Sequence, residues 1–227
     1  MKLTWRTELP QLVIIAAMFA LAAWSWPRLP EQVPTHWNLQ GQVDGHGNKV
    51  VGLLVLPLTA AGIYVLLLLL PLADPGGANY RNFAGAYNTI RLGIVALLGV
   101  LYTTAVAGVF DWQIDFTRIA FLGSAVLFVI LGNVMGKIRP NWFVGVRTPW
   151  TLSSKLSWDK THRLTGWLMM LMGVLFAVVA FVHTTWMLVF MLIVDVACLG
   201  WSVIYSYLVY RDDPNRTSPA GTTPSTD

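Results

Sequence analysis

The chain has 227 residues, of which 56% are hydrophobic and 11% charged, with a formal net charge of +4. A soluble globular domain carries about 25% charged residues, and the apolar residues here come in long blocks, which excludes a single water-soluble core. The basic excess does not point to nucleic acid, because Lys and Arg lie beside and between those blocks, where membrane topology places them.

Six runs approach the roughly 20 apolar residues that carry a helix across about 30 Å of hydrocarbon. In chain order they are Leu9 to Trp26, Val51 to Leu72, Ile90 to Phe110, Thr117 to Met135, Gly166 to Val182 and Trp186 to Tyr207. None alternates with the period of two that a barrel strand requires. The expected fold class is therefore all-α, a polytopic membrane protein with six transmembrane helices. With both termini in the cytoplasm, that side holds twelve Lys and Arg, and the outer side holds three, Arg28, Lys49 and Arg118. This asymmetry predicts an N-in, C-in orientation. The first span has basic residues before it, as a signal peptide does. Its apolar core is longer, however, and Trp24-Ser25-Trp26-Pro27 offers no small-residue cleavage site, so a retained span is expected. Cys198 is the single cysteine and lies in the last span, which leaves no internal disulfide.

Three units are expected. Residues 1–72 form a two-span unit with an outer loop at 27–50. Residues 73–211 form a four-span unit with a cytoplasmic loop at 136–165. Residues 212–227, made of Asp, Pro, Ser, Thr and Gly, bury too little apolar surface to offset ordering entropy and are expected to be disordered. The short links between spans three and four, and between five and six, predict antiparallel neighbours.

In the outer loop, Pro27, Pro30, Pro34, Gly41, Gly45 and Gly47 predict extended structure and tight turns. Asp44-Gly45-His46-Gly47-Asn48 reads as a turn. His36, Asp44 and His46 are residue types that bind zinc, but their spacing matches no metal signature, and no metal site is assigned. In the loop from Ala73 to Thr89, Asp74-Pro75-Gly76-Gly77 reads as a turn.

The cytoplasmic loop carries the most information. Gly136 and Pro140 should stop the fourth span. Trp142 to Leu152 is aromatic, basic and turn-rich, a mixture suited to the headgroup zone. Ser153 or Ser154 is expected to cap a helix that runs through Trp158 and His162 into the fifth span, with Trp158, His162 and Thr165 on one face. His162 is either a pH-sensitive switch or, as the plainer reading, an interfacial ring stacked on a tryptophan. Arg147 either grips a carboxylate or lipid phosphate through its planar fork or anchors the loop by charge alone. Asn133 reads as a helix-packing hydrogen bonder. Asp195, near the middle of the last span, is either protonated or paired, since an ionised carboxylate there costs roughly 2.5–3.5 kcal/mol. It is a proton or ligand site, or a structural partner of Ser124, Asn133 or a backbone carbonyl.

Two blocks resemble a known family. Pro30-Glu31-Gln32-Val33-Pro34-Thr35-His36-Trp37-Asn38, with Gly41 and Asp44, resembles a short domain of unknown function found at the start of many bacterial membrane proteins. Gly132-Asn133-Val134-Met135-Gly136-Lys137-Ile138-Arg139-Pro140-Asn141-Trp142-Phe143-Val144-Gly145-Val146-Arg147-Thr148-Pro149-Trp150-Thr151-Leu152, then Trp158 and Thr161-His162-Arg163, looks like the core of the SdpI family. The resemblance implies a multi-pass protein of the bacterial plasma membrane that confers immunity to a secreted, membrane-active toxin peptide. It also implies signalling, in which the loaded protein holds an ArsR-type repressor at the membrane. The candidate toxin- or partner-binding residues are then Pro34, Thr35, His36, Trp37, Asn38, Asn133, Lys137, Arg139, Pro140, Asn141, Phe143, Gly145, Arg147, Thr148, Pro149, Trp150, Trp158, Thr161 and His162.

The rival reading is a small-molecule or proton-linked transporter using Asp195. No P-loop, G-x-S-x-G, H-E-x-x-H or G-x-G-x-x-G motif is present, so the chain reads as a non-enzyme without a cofactor. The lipid bilayer is the expected environment, and direct nucleic-acid binding is not.

Overall fold

The computed structural model describes residues 4–217 apart from 111 and 113. Seven α-helices occur among them: α1 (Trp5–Ser25), α2 (Lys49–Ala73), α3 (Ala84–Val109), α4 (Phe116–Met135), α5 (Pro149–Ser153), α6 (Lys155–Val182) and α7 (Thr185–Arg211). All but the five-residue α5 are long and apolar enough to cross a membrane, which makes six spans. With no water in the bilayer core, a helix satisfies its backbone internally, and this is why each apolar block is helical. The spans run alternately up and down, so the described ends of the chain lie together at one end of the bundle.

The all-α expectation needs one correction. Between α1 and α2 the chain forms an antiparallel hairpin of β1 (Gln32–Trp37) and β2 (Val43–Asn48). The turn lies at residues 38–42, with Gly41 at φ +76°, and not at Asp44 to Asn48 as the glycines suggested. Gly45 and Gly47 serve a different purpose. A Cβ on Gly45 would stand 2.9 Å from the His36 Cβ, and one on Gly47 would stand 3.0 Å from a Thr35 methyl. The missing side chains let β1 seat its own against β2.

Two spans begin earlier than their apolar runs. α3 starts at Ala84 after a 3-10 stretch at Gly77–Phe83, and α6 starts at Lys155. Their first turns are polar helix standing at the end of the bundle that holds the termini. Ser154 caps α6 by accepting from the Ser157 N–H at 2.9 Å, and the fourth span ends at Met135, as expected. At the other end of the chain, part of the segment expected to be disordered is ordered. The Ser154 hydroxyl donates to Asp213 Oδ2 at 2.5 Å, and the Thr217 N–H donates to the Ser153 carbonyl at 3.0 Å. The Ser154 bond holds the Asp213 carboxyl below the usual carboxylate range. Residues 218–227 lie outside the described residues.

α4 and α6 make the closest helix contact. A Cβ on Gly132 would stand 2.6 Å from the Gly166 carbonyl oxygen, one on Gly166 would stand 2.7 Å from the Gly132 oxygen, and one on Gly173 would stand 2.9 Å from the Ala125 oxygen. These contacts recur every seven residues in opposite directions, the signature of two antiparallel helices meeting through small residues. α7 packs on α6, while α3 packs on α1, α2 and α4. One apolar cluster, around Ile15, Met18, Val33, Leu53, Val95 and Tyr102, joins α1 to α3 beneath the hairpin. A second, around Tyr80, Phe83, Tyr87, Val134, Ile138 and Trp158, fills the termini end.

A buried ion pair ties the first three helices together. Arg91 is 0% exposed. Its guanidinium meets the Glu8 carboxylate with both nitrogens, Nη2 to Oε2 at 2.6 Å and Nη1 to Oε1 at 3.2 Å. Tyr64 on α2 donates to the same carboxylate at 2.9 Å, and Thr7 donates at 3.0 Å. The fork-on-fork geometry and the extra donors are what an ion pair out of water requires. Substituting Arg91→Met strands the Glu8 charge and should cost about 3–5 kcal/mol of stability. The double variant Glu8→Leu/Arg91→Met should recover most of that loss. Denaturation of the purified proteins in detergent checks both, and equal loss in the two would contradict the pairing.

Candidate functional site

At the termini end, two loops are built into each other. The Asp74 carboxylate accepts from the Gly76 N–H at 2.6 Å, the Tyr80 hydroxyl at 2.9 Å and the Trp142 N–H at 3.1 Å. Asp74 thus closes its own turn and holds the second loop against it. Asn79 donates to the Pro140 carbonyl at 2.7 Å. Asn141 is 2% exposed and uses its whole amide. Its Nδ2 donates to the carbonyls of Arg139 and Val144, and its Oδ1 accepts from the N–H groups of Phe143 and Val144. A buried amide with every bond made is a loop scaffold.

The next layer is the Trp158–His162 stack, with ring centroids 4.1 Å apart and planes 21° from parallel. The Trp158 indole N–H donates to the Ile138 carbonyl at 2.9 Å. His162 Nε2 accepts from the Val146 N–H at 3.1 Å, and Nδ1 lies 2.8 Å from the Trp158 carbonyl. A backbone N–H only donates, so Nε2 is bare and Nδ1 carries the proton, which makes the ring neutral. Gly145 stands against this ring at φ +105°, and a Cβ there would lie 2.2 Å from Nε2. Thr148 caps α5 and pairs its hydroxyl with Ser206 at 3.0 Å. Trp150 packs edge-on against Tyr207 at 5.2 Å.

The expected site residues therefore divide. Asn141, Thr148, Trp158, Thr161 and His162 are buried framework. Lys137, Arg139, Phe143, Arg147 and Pro149 are exposed, with Trp142, Lys155, Lys160 and Arg163 beside them in sequence. They form a basic and aromatic face. Arg147 bonds the Trp142 carbonyl at 2.6 Å while remaining exposed. Asp159 is its counterweight, 3.9 Å from Arg139 and 3.7 Å from Lys155. Asn133 is exposed on α4, which overturns its reading as a helix-packing hydrogen bonder.

At the hairpin end, Pro34, Thr35, His36 and Trp37 line a cleft of about 390 Å³. Its floor is Val51, Val55 and Leu56 of α2, Ala105 of α3 and Phe116 of α4. Trp37 stacks on Phe116 at 4.1 Å, and His36 Nδ1 meets Asp44 Oδ1 at 2.5 Å across the strands. Asn38 holds the turn instead of lining the cleft. Its Oδ1 accepts from the Gln40 and Gln42 N–H groups, and its carbonyl accepts from Thr117. Among the described residues no three His, Cys, Asp or Glu side chains are grouped to hold a metal.

Asp195 lies on α7 with its Oδ1 buried and without a hydrogen-bond partner among the described residues. Neither Ser124 nor Asn133 reaches it. Sequence reasoning missed Asp74 as a bridge between loops, and it missed the Glu8–Arg91 pair. Arg91 is the second residue of the apolar run that starts at Ile90, where a charge passes for a span-end anchor, and nothing near it in sequence announces Glu8.

Substituting Gly145→Ala adds a Cβ into the His162 ring at a strained φ. It should cost about 1–3 kcal/mol and open the loop to protease. Thermal denaturation and limited proteolysis of the purified protein check this, and an unchanged loop would contradict the packing.

Comparison with known proteins agrees with this architecture. Residues 137–206 match the SdpI/YfhL protein family, and residues 13–61 match a domain of unknown function, DUF1648. The chain is similar to the immunity protein SdpI of Bacillus subtilis (strain 168), with 24% identity over 207 residues that cover 88% of this chain and 94% of that protein. No solved structure matches it. The first family segment holds the termini-end loop, α6 and most of α7, and the second holds the later part of α1, the hairpin and the first half of α2. The chain is a multi-pass bacterial membrane protein in which a segment that matches the SdpI/YfhL protein family follows one that matches DUF1648.

Proposed function

We propose that this chain is an immunity protein of the bacterial plasma membrane that intercepts a secreted, membrane-active toxin peptide. The cleft along Pro34 to Trp37 carries the reading. A killing peptide must bury apolar surface in the bilayer. A groove with an aliphatic floor, an aromatic wall and a polar rim, placed at the end of a helix bundle, offers that surface before the bilayer does. The similarity to a protein named as an immunity protein supports it.

The orientation follows the charges. Both termini and the basic face around Arg147 are cytoplasmic, and the hairpin faces outward. Residues 1–72 then supply most of the capture surface, and residues 73–211 supply the inner face, with α3 packed against helices of both units. In the loaded state the basic face holds an ArsR-type repressor at the membrane. Coupling the two faces needs two states with different affinities, and α3, which reaches from the cleft to the Tyr80–Tyr87 cluster, is the element that spans them. The function calls for binding and sequestration and for no chemical change to the peptide.

The test is survival of a sensitive bacterium that expresses the chain and is challenged with SDP-type peptides. The intact protein should protect. Ala105→Trp, which fills the cleft, should abolish protection at matched membrane levels and unchanged melting temperature. Full protection by the filled cleft would remove this site, and a degraded peptide in place of an intact one would remove the non-enzymatic reading. Crosslinking in loaded cells that never recovers a repressor would remove the signalling half and leave immunity standing.

A further inference from the structure

The interface of α6 and α7 is lined with hydroxyls. On α6, Ser157, Thr161 and Thr165 recur every four residues; on α7, Ser202 and Ser206 follow Asp195 and Cys198 on the same face. All five hydroxyl residues are buried. Ser157 donates to the Ser206 carbonyl at 2.7 Å, and Thr165 donates to the Ser202 hydroxyl at 3.1 Å. Ser202 donates to the Cys198 carbonyl at 2.9 Å. At the termini end the row reaches Ser154, which bonds Asp213.

Hydroxyls that bond backbone carbonyls one turn back are common in membrane helices and need no function. Two further observations go beyond that. Thr161 is 0% exposed, and its hydroxyl has no partner among the described residues, although it stands between Ser157 and Thr165. Asp195 Oδ1, at the inner end of the row, also has none. One turn from each of them, Thr165, Cys198 and Ser202 form the polar part of a largely apolar cleft of about 260 Å³, walled otherwise by Gly145, Val146 and residues such as Phe128, Met135 and Met172. Buried polar atoms left without a protein partner are where ordered water is held. Successive hydroxyls on one helix stand about 6 Å apart. One direct hydroxyl-to-hydroxyl contact, Thr165 to Ser202, crosses between the helices, and the remaining gaps are of a length that a single water bridges.

The row is one-sided. Between Met172 and Val182 on α6, and between Trp186 and Val194 on α7, no hydroxyl, amide or charge occurs. From Asp195 toward the hairpin, neither helix offers a polar side chain over these stretches.

We propose that Asp195 is a proton-exchange site served from the termini end alone, through Ser157, Thr161, Thr165, Ser202 and Ser206. A proton from water at that end passes along the hydroxyls and the water between them to the Asp195 carboxylate, and it leaves by the same way. No other charge competes for it. α6 carries none between Arg163 and His183, α4 carries none between Arg118 and Lys137, and Asp195 is the single charge of α7 before Arg211. Cys198 is the titratable neighbour one turn away. His162, beside Thr161, has both ring nitrogens engaged. Asp159, Arg163 and Asp213 are the charged groups nearest the row at the termini end.

This site is independent of toxin capture. Infrared spectroscopy of the full chain in lipid nanodiscs tests it. A carboxylic-acid C=O band should be present, disappear in Asp195→Asn, and shift on transfer to D2O. The double variant Thr165→Val/Ser202→Ala should slow that shift about tenfold, the equivalent of one lost hydrogen bond in the path, while Thr165→Ser leaves it unchanged. Thr161→Val provides the same readout if the double variant does not fold. No acid band assignable to Asp195, or exchange equally fast without the hydroxyls, would overturn the proposal.

Discussion

Everything else in the molecule is arranged around the close crossing of α4 and α6 at Gly132 and Gly166. In lipid, apolar helices gain little by meeting each other, because the acyl chains are as apolar as leucine. Association has to come from close packing, and close packing needs small residues at the crossing. With a carbonyl oxygen only 2.6 Å from where a Gly132 Cβ would be, neither position tolerates a side chain. That crossing brings the end of α4 beside the start of α6 and leaves the residues between them, 136–154, to fold in a small space at the membrane surface.

The fold of that loop is an accounting solution for its backbone. A loop this close to hydrocarbon cannot leave N–H and C=O groups unpaired. Asp74, Asn79, Asn141, Trp158 and His162 each donate to or accept from loop backbone. With these groups satisfied inside, the charged and aromatic residues between them project outward. The same principle governs the hairpin end, where Asn38 binds the turn and Trp37 is left to form the cleft wall. The framework is hydrogen-bonded and buried, and the exposed charged and aromatic surface is what the framework holds out. The Glu8–Arg91 pair does for α1 to α3 what the glycines do for α4 and α6. It joins them by a specific contact where apolar burial offers little.

Much of this was legible from the residues. The apolar blocks gave six spans because each must cover the hydrocarbon, and Trp158, His162 and Thr165 share a buried face, as their spacing requires. The Ser154 cap and the stop at Gly136 follow from local chemistry that a short window contains. What escaped were contacts between residues far apart in the chain. Glu8 and Arg91 are 83 positions apart, and each alone looked like a surface charge near a span end. The glycines of β2 have the composition of a turn, and only the neighbouring strand shows that they make room for His36 and Thr35. Asn133 has the chemistry of a packing residue, but its rotation on α4 was fixed by Gly132, which turns that face to α6 and leaves Asn133 outside. Residues 213–217 are ordered by Ser153 and Ser154, partners that the composition of the tail does not announce.

The central claim is that the hairpin-end cleft faces outward and receives the peptide. Thiol labelling in intact cells tests it most directly, with Thr35→Cys and Arg147→Cys introduced separately into a Cys198→Ala background and a membrane-impermeant maleimide added outside. The account predicts that the Thr35→Cys protein is labelled in intact cells, that a peptide against which the chain protects slows this labelling, and that the Arg147→Cys protein is labelled only after permeabilisation. Labelling of the Arg147→Cys protein in intact cells, or labelling of the Thr35→Cys protein at an unchanged rate with saturating peptide, would contradict it.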